Sequence, residues 1–586
     1  MKPLLRLKPY FLRYKRTLLW GIVTVVGSNI FTVVQPMFLG FAIDELKTGL
    51  ESHALVAGDL LRWAAIIVGF SVIAGMFTFL TRQTIIVASR LIEFDLRNDF
   101  LAHLQRLSYS YYQNTPTGDL MAHATNDIAA VRNVVGPGVM YPTDTLMTFV
   151  MVLALMLVKD WQLTLLALIP LPFVSIIVYQ VGQKVHAKSL ERQAQFSLLT
   201  TRAQENLSGI RVIKSYVREE HEIGLFSKLS WDYLKKNLVL ARIQSLLWPL
   251  MFAIIGCSII ITLYAGGLRV IDGKLSIGAL SAFLAYLVML IWPVIAFGWV
   301  LSMLQQGAAS MERLGKILDT EPEIRNTSAT DTTIRSIEGE VEFRNVRFKH
   351  VGTENPTLEG INLKINRGMT LAVVGYTGSG KTTLVNLIPR LYDITDGQLL
   401  IDGTEINRIP VEVLRAHIGY VPQETFLFSD SLTENIRYGT DDGTKEHVQQ
   451  AAEISQIAHD VLEFPNQFET MIGERGITLS GGQKQRTSIA RALIRQPRIL
   501  ILDDCLSAVD TYTEEEILRR LRLFMKGRTS IIISHRISTV KDADLIIVLD
   551  KGRIVERGSH DELVAAGGIY ADLNEKQLLE RELEEL

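Results

Sequence analysis

A glycine-rich segment, GYTGSGKT, occupies positions 375–382 and follows an apolar run, 369–374, that predicts a buried strand. Glycines at this spacing let backbone N–H groups wrap around phosphates, and the helix that follows adds its dipole. The lysine of such a loop reaches the β- and γ-phosphates, and the next hydroxyl binds Mg²⁺. We predict ATP contacts from Gly375, Tyr376, Thr377, Gly378, Ser379, Gly380, Lys381, Thr382 and Thr383, with Thr382 also on the metal.

Two adjacent carboxylates end a second apolar run, ILIL at 499–502. A continuous aliphatic run is typical of a central parallel strand, and oxygen ligands suit Mg²⁺. We predict that Asp503 holds Mg²⁺ through water, with Asp504 as the second carboxylate of the pair. A third buried strand, predicted at 528–535, ends in His535, which we expect beside the γ-phosphate.

Another glycine-containing segment, LSGGQ at 479–483, lies between the first loop and the acidic pair. It precedes a predicted helix, so it forms a further helix start suited to anions. Because the first loop already serves one nucleotide, this second cradle predicts a second nucleotide at an interface. We therefore expect phosphate contacts from Ser480, Gly481, Gly482 and Gln483.

The first half of the chain is predicted to be a membrane domain. Hydrophobic residues make up 48% of the 586 residues, and the excess lies before about residue 305. A spanning helix needs about 20 mainly apolar residues. Six runs qualify, at 17–43, 61–87, 139–158, 162–181, 246–268 and 279–304. The chain is thus predicted to be multidomain, with a six-helix all-α transmembrane domain at 1–320, a linker at 321–337, an α/β P-loop domain at 338–575 and a charged, solvated tail at 576–586.

Charge predicts the orientation of the six spans. The amino terminus and the two long connections, 88–138 and 182–245, hold most of the Lys and Arg residues of this half. The positive-inside rule therefore places them in the cytoplasm of a cell whose plasma membrane the chain spans. Both connections are predicted to be helical levers, with a break at 115–119 in the first and a short crossing helix near 209–217 in the second. Asp144, within the third span, is a candidate functional residue, or else a group near the cytoplasmic boundary.

These motifs, in this order, resemble those of ATP-binding cassette (ABC) exporters in which six membrane helices and one cassette share a chain. The resemblance covers nearly the whole sequence and implies the type I exporter fold. It implies that Gln423 belongs to a Q-loop near the metal and the attacking water, that Asp510 ends the SAVD segment at the nucleotide, and that 473–476 is an X-loop. It also implies that two cassettes hold two ATP molecules, each between one P-loop and the partner's LSGGQ, and that closure acts on coupling helices near 118–120 and 209–216.

Two positions depart from the family pattern. His350 stands where a tyrosine usually stacks on adenine, and Asp504 stands at the place of the catalytic glutamate. Asp504 predicts weak hydrolysis at this chain's own site, whereas LSGGQ is intact. The pattern resembles one half of heterodimeric bacterial multidrug exporters, so a second half-transporter is the expected partner. The alternative is an active homodimer that tolerates Asp504 through a small backbone shift.

The expected substrate is a small hydrophobic or amphipathic compound, because the last two spans carry aromatic and apolar residues without charge. A lipid flippase of the same architecture is the alternative, and an ATP-gated channel is a third reading from another class. The net charge of -2 gives no indication of a nucleic-acid partner.

Overall fold

The computed structural model describes residues 2–51, 57–473 and 479–584. The chain divides into two compact units, residues 1–105 with 118–320 and residues 106–117 with 321–586. The nucleotide-binding unit therefore includes a short piece of chain from within the first long connection.

The first unit is built from helices. A 3₁₀ turn, Lys2–Leu7, precedes them, and π turns at Arg82–Ile86 and His123–Asp127 join successive helices. The helices are α1 (Lys8–Arg13), α2 (Lys15–Glu51), α3 (Ala57–Thr81), α4 (Val87–Arg106), α6 (Thr117–Ala122), α7 (Ile128–Val135), α8 (Pro137–Leu168), α9 (Leu171–Ser208), α10 (Ile210–Ser215), α11 (Glu219–Ser245), α12 (Leu247–Ile271), α13 (Ile277–Met289) and α14 (Ile291–Leu318); α5 (Tyr109–Asn114) lies in the second unit.

Five helical runs of the described chain are long and apolar enough to cross a membrane. They cover 15–51, 58–106, 117–168, 219–271 and 277–318. The predicted fourth span, 162–181, is divided, because α8 ends at Leu168 and α9 begins at Leu171. Pro170 lies at this break, where its missing N–H and fixed φ suit a helix start better than a helix interior.

The predicted turn between the third and fourth spans falls at Asp160, whose backbone (φ -160°, ψ 100°) is not helical although α8 continues on both sides. Its carboxylate accepts a hydrogen bond of 3.0 Å from Leu163 N and also binds the Arg269 guanidinium of α12. Asp160 therefore caps the second part of α8 and ties the turn to α12, which carries the predicted fifth span.

One face of α3 exposes a continuous apolar stripe. Leu61, Val68, Val72, Met76 and Phe79 recur at helical spacing, and all five are exposed on the chain. Side chains three or four residues apart share a helix face. Such a stripe in water would favour aggregation, whereas in a bilayer it faces acyl chains.

Close backbone contact joins α2 to α13. A Cβ added at Gly278 would lie 1.9 Å from Gly40 O, so both positions require glycine. Asp44 reinforces the contact, because its carboxylate accepts hydrogen bonds from Gly278 N (2.7 Å) and Ser276 Oγ (2.6 Å). Small residues of this kind let membrane helices approach closely.

Asp144 lies in α8 and receives a hydrogen bond of 2.8 Å from the buried Asn29 side chain of α2. Thr148 donates to the same amide through its hydroxyl. Interhelical polar contacts of this kind hold membrane helices together. Asp144 thus has a packing partner in the bundle.

The long connections are helical, as predicted. The second descends through α9, crosses through α10 and returns through α11, which confirms the predicted short crossing helix. In the first connection two short helices, α5 and α6, flank the break, which covers residues 115 and 116 and not the whole predicted 115–119. Pro116 explains the break, because the residue before a proline avoids the helical region.

The second unit contains two sheets. The antiparallel sheet has the order β2-β1-β4-β5, and the larger sheet has the order β10-β9-β3-β8-β7-β6, in which β9, β3, β8, β7 and β6 are parallel. The strands are β1 (Val341–Phe348), β2 (Leu358–Ile365), β3 (Thr370–Val374), β4 (Asp396–Ile401), β5 (Thr404–Glu405), β6 (Ile418–Val421), β7 (Ile499–Asp503), β8 (Thr529–Ile533), β9 (Leu545–Asp550) and β10 (Arg553–Gly558).

Helices surround these sheets. They are α15 (Lys381–Asn386), α16 (Val411–Ala416), α17 (Leu432–Arg437), α18 (Lys445–Ile454), α19 (Ala458–Leu462), α20 (Gly481–Leu493), α21 (Thr511–Met525), α22 (Ile537–Val540), α23 (His560–Ala566) and α24 (Ile569–Glu584). The predicted boundary at residue 575 falls inside α24, so the tail is a continuation of this helix.

Candidate nucleotide-binding site

The parallel strands bring four predicted motifs to one edge. The P-loop follows β3, His535 follows β8, the acidic pair ends β7, and Gln423 follows β6, and these strands are neighbours in that order. The registers pair Val373 with Ile533 and Asp503 with Ile533, so the strand ends are level. Ligands of open parallel sheets bind at this carboxyl edge.

The P-loop is held by the backbone conformations that its glycines permit. Gly375, Gly378 and Gly380 have φ values of 146°, 82° and 101°. A Cβ at Gly375 would lie 2.2 Å from Leu549 O, so this position excludes any side chain. The loop then leads directly into α15, whose amino terminus provides N–H groups for an anion.

Lys381 is buried at the start of α15. Its ammonium donates to Gly375 O at 2.8 Å and to Tyr376 O at 2.9 Å, so it spans the loop that would surround the phosphates. Burial lowers the pKa of Lys381, whereas the Asp504 and Asp503 carboxylates oppose that shift. A phosphate would favour the charged form further, because opposite charge at close range stabilises it.

Asp503 is almost fully buried at the end of β7. Neither of its carboxylate oxygens has a hydrogen-bond partner of good geometry among the described residues, although the Thr382 hydroxyl lies close enough to oppose a rise in its pKa. Burial, the larger influence, raises the pKa of Asp503. Buried polar groups without partners are rare, so this carboxylate fits the binding of a cation.

Asp504 has a left-handed backbone, with φ 46°. Its N–H donates to Ile533 O at 2.9 Å, and its carbonyl accepts from Ser507 Oγ at 3.1 Å, so the strained residue is fixed on both sides. Its carboxylate Oδ2 lies 3.7 Å from His535 Nε2. The two predicted reacting side chains are therefore neighbours.

The signature residues begin α20 with reciprocal caps. Ser480 Oγ accepts from Gln483 N at 3.3 Å, and Gln483 Oε1 accepts from Ser480 N at 3.0 Å. The Gln483 amide also donates to Asp460 at 2.7 Å, and Arg486 binds the same carboxylate through two nitrogens. The helix start is thus rigidly held, and Gly481 and Gly482 leave its surface free of side chains.

Gln485, a residue outside the predicted set, joins this helix to the segment after the acidic pair. The Gln485 side chain donates to Ser507 Oγ at 3.1 Å and accepts from Ala508 N at 3.0 Å. Its type alone gave no signal, because glutamine on a helix is usually solvated. Asp510, which was predicted, caps α21 by accepting from Thr513 N at 2.9 Å. That hydrogen bond lowers the pKa of Asp510.

His350 lies in an aromatic cluster. Its ring is 4.8 Å from Phe348 and 5.3 Å from Tyr392, in both cases edge to face. Tyr392 also meets Tyr109 of α5 at 5.7 Å. Burial lowers the pKa of His350, so the ring is neutral at pH 7.

The remaining predicted residues differ in setting. Gln423 and Tyr376 are exposed, whereas Ser379 is buried, with a hydroxyl that has no hydrogen-bond partner in the described chain. In the predicted X-loop the structure describes Gly473 (φ 93°), and 474–476 lie outside the described residues.

A P-loop, an acidic strand end and a capped anion-binding helix on one α/β unit, joined to a helical membrane unit, define a membrane-embedded P-loop ATPase. Residues 18–294 match the family model described as ABC transporter transmembrane region, and residues 358–507 match the model described as ABC transporter. The chain belongs to the ABC transporter family.

Curated relatives extend over nearly the whole chain. A probable multidrug resistance ABC transporter ATP-binding/permease protein of Bacillus subtilis (strain 168), YheI, is 38% identical over 574 residues, which cover 98% of this chain and 96% of the relative. An ATP-dependent lipid A-core flippase of Syntrophus aciditrophicus (strain SB) is 37% identical over 562 residues, covering 95% and 91%.

A solved structure shows the same fold. A bacterial Atm1-family ABC exporter with ATP bound superposes with a TM-score of 0.80 at 26% identity, covering 96% of this chain and 99% of that one. The predicted type I exporter fold is confirmed. The chain is therefore an ATP-driven ABC exporter, an ATPase coupled to transport, and an inner-membrane location agrees with its bacterial relatives.

Proposed function

We propose that this chain is one subunit of a heterodimeric exporter of hydrophobic or amphipathic compounds. In this assembly the site on its own P-loop holds ATP and hydrolyses it slowly, and its LSGGQ segment completes the partner's active site. The observation that carries the proposal is the residue at the end of β7, where an aspartate takes the position of the catalytic glutamate.

The length of Asp504 explains slow hydrolysis. A carboxylate one methylene shorter is drawn back by about 1.3 Å on bond-length grounds. A misplacement of about 1 Å can cost on the order of 100-fold in rate. The backbone hydrogen bonds of Asp504 to Ile533 and Ser507 resist the shift that would restore the reach of its carboxylate.

The residues expected to contact the phosphates support the proposal that this site retains ATP. Lys381 and the P-loop amides would hold the phosphates, and Ser379 places an unpartnered hydroxyl in the loop. Mg²⁺, when bound with ATP, offsets the phosphate charge, and Thr382, Asp503 and Gln423 are the residues that would hold it. His535 would contact the γ-phosphate beside Asp504.

The LSGGQ residues support the proposed heterodimer. Ser480 and Gln483 hold the amino terminus of α20 in a form suited to phosphate, and nothing in these residues departs from the family pattern. An intact LSGGQ segment on a chain whose own base is poorly placed is useful chiefly to a partner chain. Asp510 ends the SAVD segment, which follows the acidic pair, and would face the same interface.

Lipid is the second candidate passenger. It is favoured by the relative whose printed name is a lipid A-core flippase and by the exposed apolar stripe of α3, along which acyl chains would lie. ATPase activity in the presence of drugs or of lipids separates the two candidates, because the transported compound stimulates turnover.

The assembly is tested by purifying the chain alone and together with a second half-transporter that carries glutamate after its strand aspartate. We expect the pair to show passenger-stimulated turnover at least tenfold above that of the chain alone. A homodimer of this chain with full stimulated turnover would refute the heterodimer.

A further inference from the structure

The loop that carries His535 is short and lies between β8 and α22. Within it, Ser534 Oγ accepts from Arg536 N at 3.0 Å. The His535 side chain is about half exposed and faces Asp504 at 3.7 Å. Among the described residues the imidazole has this contact with Asp504 and no hydrogen bond, so the orientation of the adjoining peptides sets where the ring points.

A glutamine from the carboxy-terminal helix binds the two peptides that follow His535. The Gln577 side-chain oxygen accepts from Ile537 N at 2.7 Å, and its amide nitrogen donates to the His535 carbonyl. One side chain therefore satisfies a backbone donor and a backbone acceptor two residues apart, with His535 at one end. Amide side chains have this paired donor and acceptor, which a carboxylate lacks.

The residues that follow His535 have further contacts of their own. The buried Glu514 of α21 binds the Arg536 guanidinium and accepts from Thr539 Oγ1 at 2.7 Å. These contacts fix the residues after His535 and do not reach its own peptide. Among the described residues, Gln577 is thus the side chain that binds the His535 carbonyl.

The helix that presents Gln577 is firmly attached. Tyr570, near the start of α24, is fully buried and its hydroxyl lies 2.7 Å from His560 Nδ1. Ile569 N donates to Glu556 at 2.6 Å. The tail was predicted to be a solvated face, whereas Gln577 of this helix binds the loop that carries His535.

We propose that Gln577 is a positioning residue for ATP hydrolysis, which orients His535 by clamping the two peptides that follow it. Loss of the clamp leaves ATP binding by the P-loop intact and lets the imidazole rotate away from the phosphate. The proposal rests on the role given to His535 under the proposed function.

Two measurements on the full-length chain test it. The first is amide hydrogen exchange of residues 535–538 in wild type, Gln577→Ala and Lys576→Ala, where Lys576 is an exposed neighbour. We expect Gln577→Ala to accelerate exchange of the Ile537 amide at least tenfold and Lys576→Ala to leave it unchanged. Equal protection in all three proteins would overturn the clamp, whatever the ATPase activity.

The second measurement uses a chain that turns over, either Asp504→Glu or wild type if the latter proves active. We expect Gln577→Ala to lower kcat about tenfold with KM for ATP within twofold. In a His535→Ala background, we expect the same change to lower kcat by less than twofold. An equal loss in both backgrounds would show a merely structural role, while exchange data that support the clamp together with inactive Asp504→Glu protein would count against the proposed function alone.

Discussion

Two parts of the second unit differ: the start of α20, which carries the signature residues, and the end of β7, which carries the acidic pair. At the signature end, Ser480, Gln483, Asp460 and Arg486 form a closed set of hydrogen bonds around a helix start. At the acidic end, Lys381 and Asp503 are placed as the proposed binding requires, whereas Asp504, the proposed base, is one methylene shorter than glutamate and has a left-handed backbone. Under the proposed function, binding and hydrolysis depend on separate residues, so a subunit can lose one and keep the other.

The largest expected effect is on binding by the P-loop. Lys381→Ala removes the buried ammonium that spans Gly375 and Tyr376. Hydrogen bonds to charged groups contribute about 1.5–3 kcal/mol, so ATP affinity at this site should fall on the order of 10- to 100-fold. Equilibrium binding of a fluorescent ATP analogue measures it, with Lys551→Ala on an exposed turn as the control. Unchanged affinity would show that the loop does not hold the phosphates.

The signature end is tested by Ser480→Asp. Aspartate keeps the helix cap but places a negative charge where the partner's phosphate would approach. Like charges at an interface cost several kcal/mol, so turnover of the heterodimer should fall roughly 100-fold.

Ser480→Thr is the matched control, because it keeps both the cap and neutrality and should retain most of the turnover. Full activity of Ser480→Asp would mean that this helix start meets no phosphate, and the comparison between the two ends would fail.

A smaller effect is expected at His350. His350→Tyr enlarges the ring that would stack on adenine, and we expect ATP affinity to rise about twofold to fivefold, since base–aromatic stacking is worth about 1–3 kcal/mol per base. Burial lowers the pKa of His350 below its ordinary value of 6.5. The ring therefore stays neutral from pH 7 upward and gains a proton only as the pH falls below that ordinary value.

The pH dependence of ATP binding follows from the direction of the pKa shift of His350. ATP affinity of the wild type should be flat between pH 7 and 8 and change only in more acidic buffer, a change that His350→Tyr should abolish. A wild-type midpoint above 6.5 would show that the ring does not occupy its half-buried place in the aromatic cluster.

The sequence predicted the motifs of the candidate site better than the side chains that hold those motifs in place. The P-loop, the strand ending in Asp503 and the LSGGQ helix could be predicted because glycine spacing, continuous aliphatic runs and strand-to-helix order are local signals. The contacts of Gln485 and Gln577 could not, since each depends on a segment distant in the chain meeting an ordinary glutamine. The divided fourth span was missed because hydropathy ignores the backbone effect of Pro170.

The most direct measurement compares steady-state ATPase rates of wild type, Asp504→Glu and Asp504→Asn in the purified chain with Mg²⁺ and saturating ATP. Our account predicts that wild type hydrolyses within about threefold of Asp504→Asn, and that Asp504→Glu is at least tenfold faster, because the longer side chain reaches the attacking water. A wild-type rate equal to that of Asp504→Glu and far above that of Asp504→Asn would contradict it.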